Sequence, residues 1–356
     1  MNLKRLDWLL NSGIIFLFGA GLLSLASVAP RLAGWQLLWG AIGAGIVLLF
    51  ANFDWRPFIN YRWFIFGIYA LSIILLVVTY LFAPPIRGTR AWLTIGAFKI
   101  QTSELAKFAL ILAYSYFFAK KHIGIANIRV IGISFIYFLL PAILVLAQPD
   151  TGSALILGGI WFGYLLVSGI KWNHLFAGVL LGAVLLAVMW SSGLKDYQKE
   201  RIAGLFNPEK DPLGINYSVI QAKIAIGSAG FWGKGFGQGT QAQLGFLPEA
   251  QTDFMFAAFI EEWGLAGATA ILAAFFLVLF QIMRIGLSAD NNFFKLICLG
   301  ASIVFLLHFI VNVGSNLGLT PVIGVPFPFL SYGGSNLLAS AMLIGLIQSG
   351  VVHKRF

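Results

Sequence analysis

Charged residues are scarce in this chain, and cysteine is almost absent. Asp, Glu, Lys and Arg together make up 10% of the 356 residues, whereas hydrophobic residues make up 59%. This composition excludes an ordinary water-soluble globular protein, in which about 25% of the residues are charged. The only cysteine, Cys298, excludes an intramolecular disulfide, and its place in an apolar run predicts that its thiol packs in the interior.

Sequence motifs for metals, nucleotides and activated nucleophiles are missing as well. The chain has no P-loop, no nucleophile elbow and no haem-attachment motif. Its histidines lack the spacing of metal ligands, so we expect no metal site among the side chains. The energy for any reaction must therefore travel with the substrate. The histidines are His122, His174, His308 and His353.

Long apolar runs stand where charge is missing. A helix needs about 20 apolar residues to cross the hydrocarbon core of a membrane, and the sequence holds ten such runs. This pattern predicts an all-α, polytopic integral membrane protein with about ten transmembrane helices, built as one integral domain over residues 1–356. The predicted spans are 8–29, 34–53, 61–83, 103–119, 130–147, 153–170, 174–191, 253–283, 293–315 and 329–351.

The first span imitates a cleavable signal peptide, because Lys4 and Arg5 precede an apolar run that ends in small residues. The run is too long for a signal-peptide core and further spans follow, so we expect it to be retained. Basic residues orient the chain, because they concentrate in cytoplasmic segments. A cytoplasmic N-terminus leaves few of them in the short outer loops, which predicts that both termini are cytoplasmic. The outer-loop residues are Arg31, Arg87, Arg90 and Lys99; the inner ones are Lys4, Arg5, Arg56, Arg62, Lys120, Lys121, Arg129, Lys171, Arg284, Lys295, Lys354 and Arg355.

The net charge of +10 follows largely from this bias. The basic residues are spread over separate loops rather than clustered on one face, so the sequence predicts no nucleic-acid binding. Membrane lipid with anionic head groups is the better partner.

A long loop, residues 193–252, separates spans seven and eight and is exoplasmic in this topology. Its residues 217–228 have the apolar spacing of an amphipathic helix on the membrane surface. Glycines then alternate at 233, 235, 237 and 239. We interpret them as a hinge or a close-packed turn, because no strand and helix flank them as in a nucleotide loop. A backbone cradle for a lipid diphosphate remains open.

Ionisable side chains cluster where spans meet the outer face. Glu249 and Asp253 stand where the long loop re-enters the membrane, a costly place for a carboxylate and hence a functional one. Glu104 and Lys107 share a helix face at i and i+3, which predicts an intrahelical ion pair or a role in orienting a site. Asp150 precedes span six and is typical of an N-cap.

The segment from 320 to 335 joins spans nine and ten. Its prolines and glycines cannot form a continuous helix, so backbone at membrane depth must line a cavity or be packed in protein.

Five segments together resemble one family. They are 88–96 with Trp92, 103–107, 148–152, 247–262 and 324–335, in the expected order and spacing. The chain resembles the SEDS (shape, elongation, division and sporulation) family of peptidoglycan glycosyltransferases, and specifically its RodA branch. Three positions depart from the family pattern: Ala91 and Gln251 replace a frequent basic residue and a frequent histidine, and Thr102 replaces a frequent proline.

The resemblance implies a ten-span enzyme of the bacterial cytoplasmic (inner) membrane that polymerises lipid II on the outer face. It implies as partners the growing glycan strand, a class B penicillin-binding protein that crosslinks it, and other membrane proteins of the elongation complex. Asp253 matches the family's proposed catalytic aspartate, Glu104 and Lys107 its paired acid and base, and Trp92 a functionally sensitive tryptophan. The remaining candidate substrate-binding residues are Arg90, Gln221, Lys223, Glu249 and Ser331.

The chemistry needs a base and a source of positive charge. Asp253 would take the proton of an acceptor hydroxyl while the diphosphate leaves the donor sugar with inversion. Lys107, Lys223 and Arg90 are candidates for stabilising the diphosphate, and a divalent cation, Mg²⁺ or Mn²⁺, is an alternative that the sequence leaves open.

Two other function classes stay open on the residues. A flippase or other transporter of lipid-linked precursors also suits a ten-span chain with broken helices. However, the acidic groups gather on one side, and the chain has no evident inverted repeat. A non-catalytic scaffold of the wall-synthesis complex would leave Asp253 dispensable. Replacing Asp253 with asparagine separates the three readings.

Overall fold

The computed structural model describes residues 5–59, 61–86, 88–96, 98–121, 128–167 and 216–353, with positions 169, 178, 199–200, 203–205 and 214. Helices dominate these residues, which confirms the all-α class. The long helices are α1 (Trp8–Val28), α2 (Pro30–Asn52), α4 (Arg62–Phe82), α5 (Thr102–Lys121), α6 (Ile128–Ala147), α7 (Thr151–Val167), α10 (Met255–Leu287), α11 (Asn292–Leu317) and α12 (Gly334–His353). Shorter helices are α3 (Arg56–Ile59), α8 (Tyr217–Ser228) and α9 (Thr240–Gln243).

Nine of the ten predicted spans coincide with these long helices, and the seventh, 174–191, lies outside the described residues except for position 178. Seven of the described helices are long and apolar enough to cross a membrane. The other two are α7, which has only 17 residues, and α5, whose 20 residues include Glu104 and Lys107. The chain is therefore a polytopic membrane protein.

The helices pack into one bundle with a continuous apolar core. Helix α1 lies against α10, and α2 lies against α12. Leu10, Leu17 and Leu25 of α1 are fully buried, so the first span is part of the packed fold. Cys298 is buried on α11, which confirms its predicted packing role.

A two-stranded antiparallel hairpin, β1 (Trp92–Ile95) and β2 (Phe98–Gln101), was not predicted. Gly96 has φ +62° in its turn, a conformation that suits glycine. The strands are rich in aromatic and β-branched residues, the composition that favours a pleated surface. The hairpin leads directly into α5 and so fixes where that helix enters the membrane.

Helix α10 is broken at Gly264, whose φ of +66° and ψ of −164° are not helical. The segment from Gly230 to Gly235 fills the break with its own backbone. Lys234 and Gly235 donate their N–H groups to the carbonyls of Glu261 and Glu262 (3.0 Å each), while Leu265 and Ala266 donate to the carbonyls of residues 230 and 231. We name this arrangement the backbone clasp. It satisfies the groups that a broken helix would otherwise leave unpaired in a membrane protein.

Non-helical backbone joins α11 to α12 between residues 318 and 333, as the prolines and glycines predict. Its Phe327 is fully buried among Phe256, Phe275 and Phe309. The prediction that the last span begins at residue 329 is wrong, because α12 begins at Gly334. Residues 329–333 remain in the packed connection.

Candidate active site

Asp253 lies in a turn that enters α10. Glu249 begins this turn with φ +53°, and its carbonyl accepts the N–H groups of Thr252 (3.1 Å) and Phe254 (3.2 Å). The Asp253 side chain is half-buried, and its Oδ2 lies 4.0 Å from where a Cβ on Gly324 would stand. A side chain at residue 324 would stand in van der Waals contact with the carboxylate, and Gly324 has φ +72°, a conformation that suits glycine. The turn therefore places the Asp253 carboxylate next to a backbone segment that has no side chain at residue 324.

Helix α8 packs onto this turn. Ala222 is fully buried in a cluster with Leu247, Ala250 and Phe254. The helix predicted over 217–228 is present, and its buried alanines face α10 and α11. Its predicted place on the membrane surface stays a prediction. The remainder of the predicted 193–252 loop before residue 216 lies mostly outside the described residues.

Gln221 and Lys223 also belong to α8. Gln221 is half-buried. Lys223 is exposed and lines a cavity of about 100 Å³. Asn216, Gly318 and Val322 line the same cavity. Because it contains a lysine and amide and hydroxyl groups, this cavity has the chemistry to receive an anion.

Glu104 and Lys107 form the predicted ion pair at 2.7 Å, and both side chains are buried. Lys107 Nζ also lies 3.2 Å from His308 Nε2, and Asn336 Nδ2 donates to Glu104 Oε2 at 3.2 Å. The buried ammonium and carboxylate thus have polar partners from α11 and α12. Such partners are needed, since a buried charge without them is costly.

A polar stripe follows one face of α11. His308, Asn312 and Asn316 are spaced by four residues, which places them on one side of the helix, and all three are buried. His308 Nδ1 lies 3.3 Å from the carbonyl of Pro326, and Asn312 donates to the carbonyl of Val325 at 2.9 Å. The stripe therefore links the ion pair of α5 to the connection between α11 and α12.

The two asparagines of this polar stripe also hold the Asp253 backbone. Asn312 Nδ2 and Asn316 Nδ2 donate to the Asp253 carbonyl at 3.0 Å and 2.9 Å. The polar stripe thus contacts the Glu104–Lys107 pair through His308 and the Asp253 main chain through the two asparagines. Sequence reasoning missed Asn312 and Asn316, although polar residues at four-residue spacing in an apolar span are a readable signal.

Arg90 and Trp92 lie at the hairpin. Arg90 is exposed and its N–H donates to the carbonyl of Gln148, whereas Trp92 is half-buried opposite Gln101 in β1 and β2. Asp150 is the predicted N-cap, because its Oδ1 accepts the N–H of Ser153 at 3.0 Å. Its Oδ2 accepts from Gln101 Nε2 at 3.0 Å, so the cap also anchors the hairpin.

Of the alternating glycines, Gly233 and Gly239 pack closely against α10, whereas Gly235 and Gly237 are exposed. Glu261 and Glu262 of α10 point into this segment: Glu261 accepts the N–H groups of Gln241 and Ala242 and pairs with Lys234 at 2.7 Å. Glu262 Oε1 accepts the N–H of Gly237 at 3.2 Å and contacts the hydroxyl of Ser27. Backbone N–H groups of the segment from Gly237 to Ala242 therefore bind two carboxylates of α10.

Ser331 is buried at the far end of the connection. Its hydroxyl accepts the N–H of Phe327 at 3.1 Å, and its carbonyl accepts from Gln36 Nε2 at 3.4 Å. These contacts assign the side chain to shaping the connection near the site.

Carboxylates and histidines that could hold a metal do not assemble in the part of the chain that the structure describes. No group of three or more His, Cys, Asp or Glu side chains has the required proximity among those residues.

A family model for the FtsW, RodA and SpoVE proteins, described as cell cycle proteins, matches residues 5–355. The chain belongs to this family. Among its relatives, peptidoglycan glycosyltransferase MrdB of Escherichia coli K12 is 35% identical over 316 residues, which are 89% of this chain and 85% of that protein. Peptidoglycan glycosyltransferase RodA of Treponema pallidum is 29% identical and covers 96% of this chain and 94% of its own.

Solved structures of the FtsW/RodA/SpoVE family share the fold. One is a chain of a peptidoglycan synthase complex, described under the words "structural coordination of polymerization and crosslinking". It has a TM-score of 0.83 and 30% identity, and the match covers 97% of both chains. The rod shape determining protein RodA of Thermus thermophilus has a TM-score of 0.74 and 26% identity, covering 100% of this chain and 99% of its own. The family resemblance that five sequence segments carried is confirmed.

Proposed function

We propose that this chain is a peptidoglycan glycosyltransferase, which polymerises lipid II into glycan strands at the outer face of the cytoplasmic membrane for cell elongation and shape. Its relatives MrdB and RodA bear the name peptidoglycan glycosyltransferase. The observation that carries the mechanism is the half-buried Asp253 carboxylate beside Gly324, held in a turn at the entry of a membrane helix.

In this mechanism the Asp253 carboxylate is the general base. It accepts the proton of an acceptor sugar hydroxyl as that oxygen bonds to the donor anomeric carbon. The bond from that carbon to the undecaprenyl diphosphate breaks in the same step, and the diphosphate leaves with the electron pair. Inversion at carbon follows, and the carboxyl group then releases its proton to water.

The departing diphosphate needs positive charge, and burial distinguishes the candidates. Lys107 is buried against Glu104 and His308, which suits a structural role in the site better than contact with a lipid head group. Lys223 and Arg90 are exposed. Lys223, which borders the cavity of about 100 Å³, is the first choice for a diphosphate contact, and Arg90 is the second. Gln221, Glu249 and Trp92 complete the proposed substrate-facing set.

The proposed setting follows the charge bias of the loops. Both termini lie in the cytoplasm, residues 193–252 are exoplasmic, and Asp253 opens to the outer face. A class B penicillin-binding protein is the proposed partner, supported by the similarity to a chain of a peptidoglycan synthase complex. Anionic lipid neutralises the basic inner loops. A divalent cation, Mg²⁺ or Mn²⁺, remains a proposed cofactor for the diphosphate of the substrate.

Replacing Asp253 with asparagine tests the function. Asparagine has the same shape but cannot accept the proton, so we expect glycan synthesis from lipid II to fall at least about 100-fold. Purified protein, with and without its transpeptidase partner, is incubated with lipid II and the products are sized on gels. Asp54→Asn is the control, because Asp54 is a partly exposed carboxylate in the loop between α2 and α3. Its hydrogen bond to Arg56 lowers its pKa to about 2, so it is ionised like a free carboxylate at neutral pH.

Wild-type polymerisation by the Asp253→Asn variant would refute the proposal. A transporter is indicated instead if lipid II crosses vesicle membranes equally with both proteins while neither makes polymer. A scaffold is indicated if the transpeptidase partner alone accounts for all glycan synthesis.

Removing the charge of Lys223 should weaken substrate binding. A hydrogen bond to a charged group contributes about 1.5–3 kcal/mol. Solvent weakens the contribution of an exposed lysine, so we expect the loss of Lys223 to change KM for lipid II about tenfold. We expect Lys223→Met to raise KM roughly tenfold and Lys223→Arg to remain near wild type. Steady-state rates at varied lipid II give the answer, and an unchanged KM in Lys223→Met would remove this residue from the site.

A further inference from the structure

The amide of Asn316 occupies the place of a backbone hydrogen bond at the start of α10. In a regular helix the N–H of Ala257 would donate to the carbonyl of Asp253, four residues earlier. Here the Ala257 N–H donates to Asn316 Oδ1 at 3.0 Å, and Asn316 Nδ2 donates to the Asp253 carbonyl at 2.9 Å. The side-chain amide is thus inserted between the two backbone groups.

This insertion keeps Asp253 out of the helix. If the N–H of Ala257 bonded directly to the Asp253 carbonyl, residue 253 would become the N-cap in place of Phe254, and the backbone that carries its carboxylate would shift. Side chains that enter the i to i−4 ladder are a known cause of local helix deformation. The helix instead begins at Met255, and Asp253 remains in the preceding turn.

Asn312 fixes the same carbonyl from a second side. Its two amide protons go to the carbonyls of Asp253 (3.0 Å) and Val325 (2.9 Å). One amide therefore ties the turn that carries the carboxylate to the connection that carries Gly324. Both asparagines are almost completely buried, at 1% and 0% exposed. Neither side chain is placed to meet a sugar, which distinguishes their role from that of Asp253.

We infer that Asn312 and Asn316 are positioning residues, which hold the Asp253 backbone outside the helix so that its carboxylate stands beside Gly324. The inference rests on the proposed function, because it assigns Asp253 the role of base. It adds two residues from a helix that is distant in sequence. Their effect is exerted through a peptide carbonyl, not through contact with substrate.

The test separates turnover from binding. With Asn316→Leu or Asn312→Leu, the Asp253 carboxylate is displaced, and an ångström-scale displacement costs on the order of 100-fold in rate. We expect kcat for lipid II polymerisation to fall by that factor while KM stays at the wild-type value, because the residues that bind the head group are unchanged. Rates are normalised to folded protein, measured as the monodisperse fraction in size-exclusion chromatography.

Ser315→Ala is the matched control. Ser315 is buried on α11 between the two asparagines and its hydroxyl donates to the Asn312 carbonyl at 2.8 Å. Its loss should lower stability slightly and leave kcat unchanged. If Asn316→Leu does not fold, Asn316→Asp decides, because it retains an acceptor for Ala257 and loses the donor to Asp253. Failure of both to fold would overturn the inference in favour of a purely structural role.

The outcomes for the inference and for the proposed function differ. If Asp253→Asn is inactive while both asparagine variants retain wild-type kcat, only the positioning inference is wrong. If Ser315→Ala loses turnover equally, the effect belongs to α11 as a whole and the inference is also wrong. Polymerisation by Asp253→Asn would instead remove the proposed function.

Discussion

Replacing Gly264 with alanine is expected to prevent the protein from folding stably. The residue has φ +66°, which alanine adopts poorly, and an added Cβ would lie 2.3 Å from the backbone N of Gly233 and 2.4 Å from the carbonyl oxygen of Phe231. Both neighbours are backbone atoms of the backbone clasp and cannot rotate away. We expect a loss of at least about 3 kcal/mol in the free energy of unfolding.

Thermal unfolding in detergent measures this loss, together with the yield of monodisperse protein. Gly227→Ala is the control, because Gly227 is a helical glycine of α8 with open space where a Cβ would stand, and alanine should be neutral or slightly stabilising there. If Gly264→Ala melts at the wild-type temperature, the break in α10 is not a requirement of the fold.

Removing Lys107 alone should be more damaging than removing its whole ion pair. In Lys107→Met, the buried Glu104 carboxylate loses its cation, and breaking such a pair costs about 3–5 kcal/mol. The double variant Glu104→Gln with Lys107→Met contains no charge to bury, so most of the loss should be recovered. Asn336, which donates to Glu104 Oε2 in the wild type, can still donate to the side-chain amide oxygen that the Glu104→Gln change leaves in its place.

Chemical or thermal unfolding of the two single variants and the double variant forms a mutant cycle. Lys120→Met serves as control, because Lys120 lies on the same helix but is not buried, with its ammonium near Tyr116. Equal losses in the double variant and in Lys107→Met would show that packing, rather than an unpaired carboxylate, governs stability at this place.

Local patterns in the sequence were sufficient for much of the fold. Apolar length located nine of the described spans, the i and i+3 spacing identified the Glu104–Lys107 pair, and the position before span six identified the cap at Asp150. These features depend on neighbours in sequence, and periodicity and capping rules describe such neighbours well. The helix over 217–228 belongs to the same class.

The features that were missed depend on partners far away in the chain. Asn316 bonds to Ala257 across 59 positions, and the break at Gly264 is completed by the segment from Gly230 to Gly235, which precedes α10. A glycine within an apolar run gives no sign of positive φ unless its distant neighbour is known. The late start of α12 at Gly334 has a similar cause, because buried Phe327 and Ser331 hold the preceding residues in the connection.

Asp253 was predicted from the sequence as a candidate site residue, and the structure explains why its backbone lies outside the helix. A carboxylate at a membrane boundary could be recognised as unusual from its position next to an apolar run. Its location outside the helix depends on two buried amides, whose partners include a main-chain carbonyl. Main-chain groups carry no sequence signature, so no motif could have pointed to this bond.

The backbone clasp couples two parts of the chain that would otherwise loosen separately. Four N–H groups, those of Lys234, Gly235, Leu265 and Ala266, each donate one hydrogen bond across the break. If the segment from Gly230 to Gly235 moves away from α10, all four bonds are therefore lost. In hydrogen–deuterium exchange these four positions should become labelled at a common rate, as one cooperative unit. The loop before the helix and the part of α10 that follows Gly264 would then separate together, as one unit, in any local unfolding of this region.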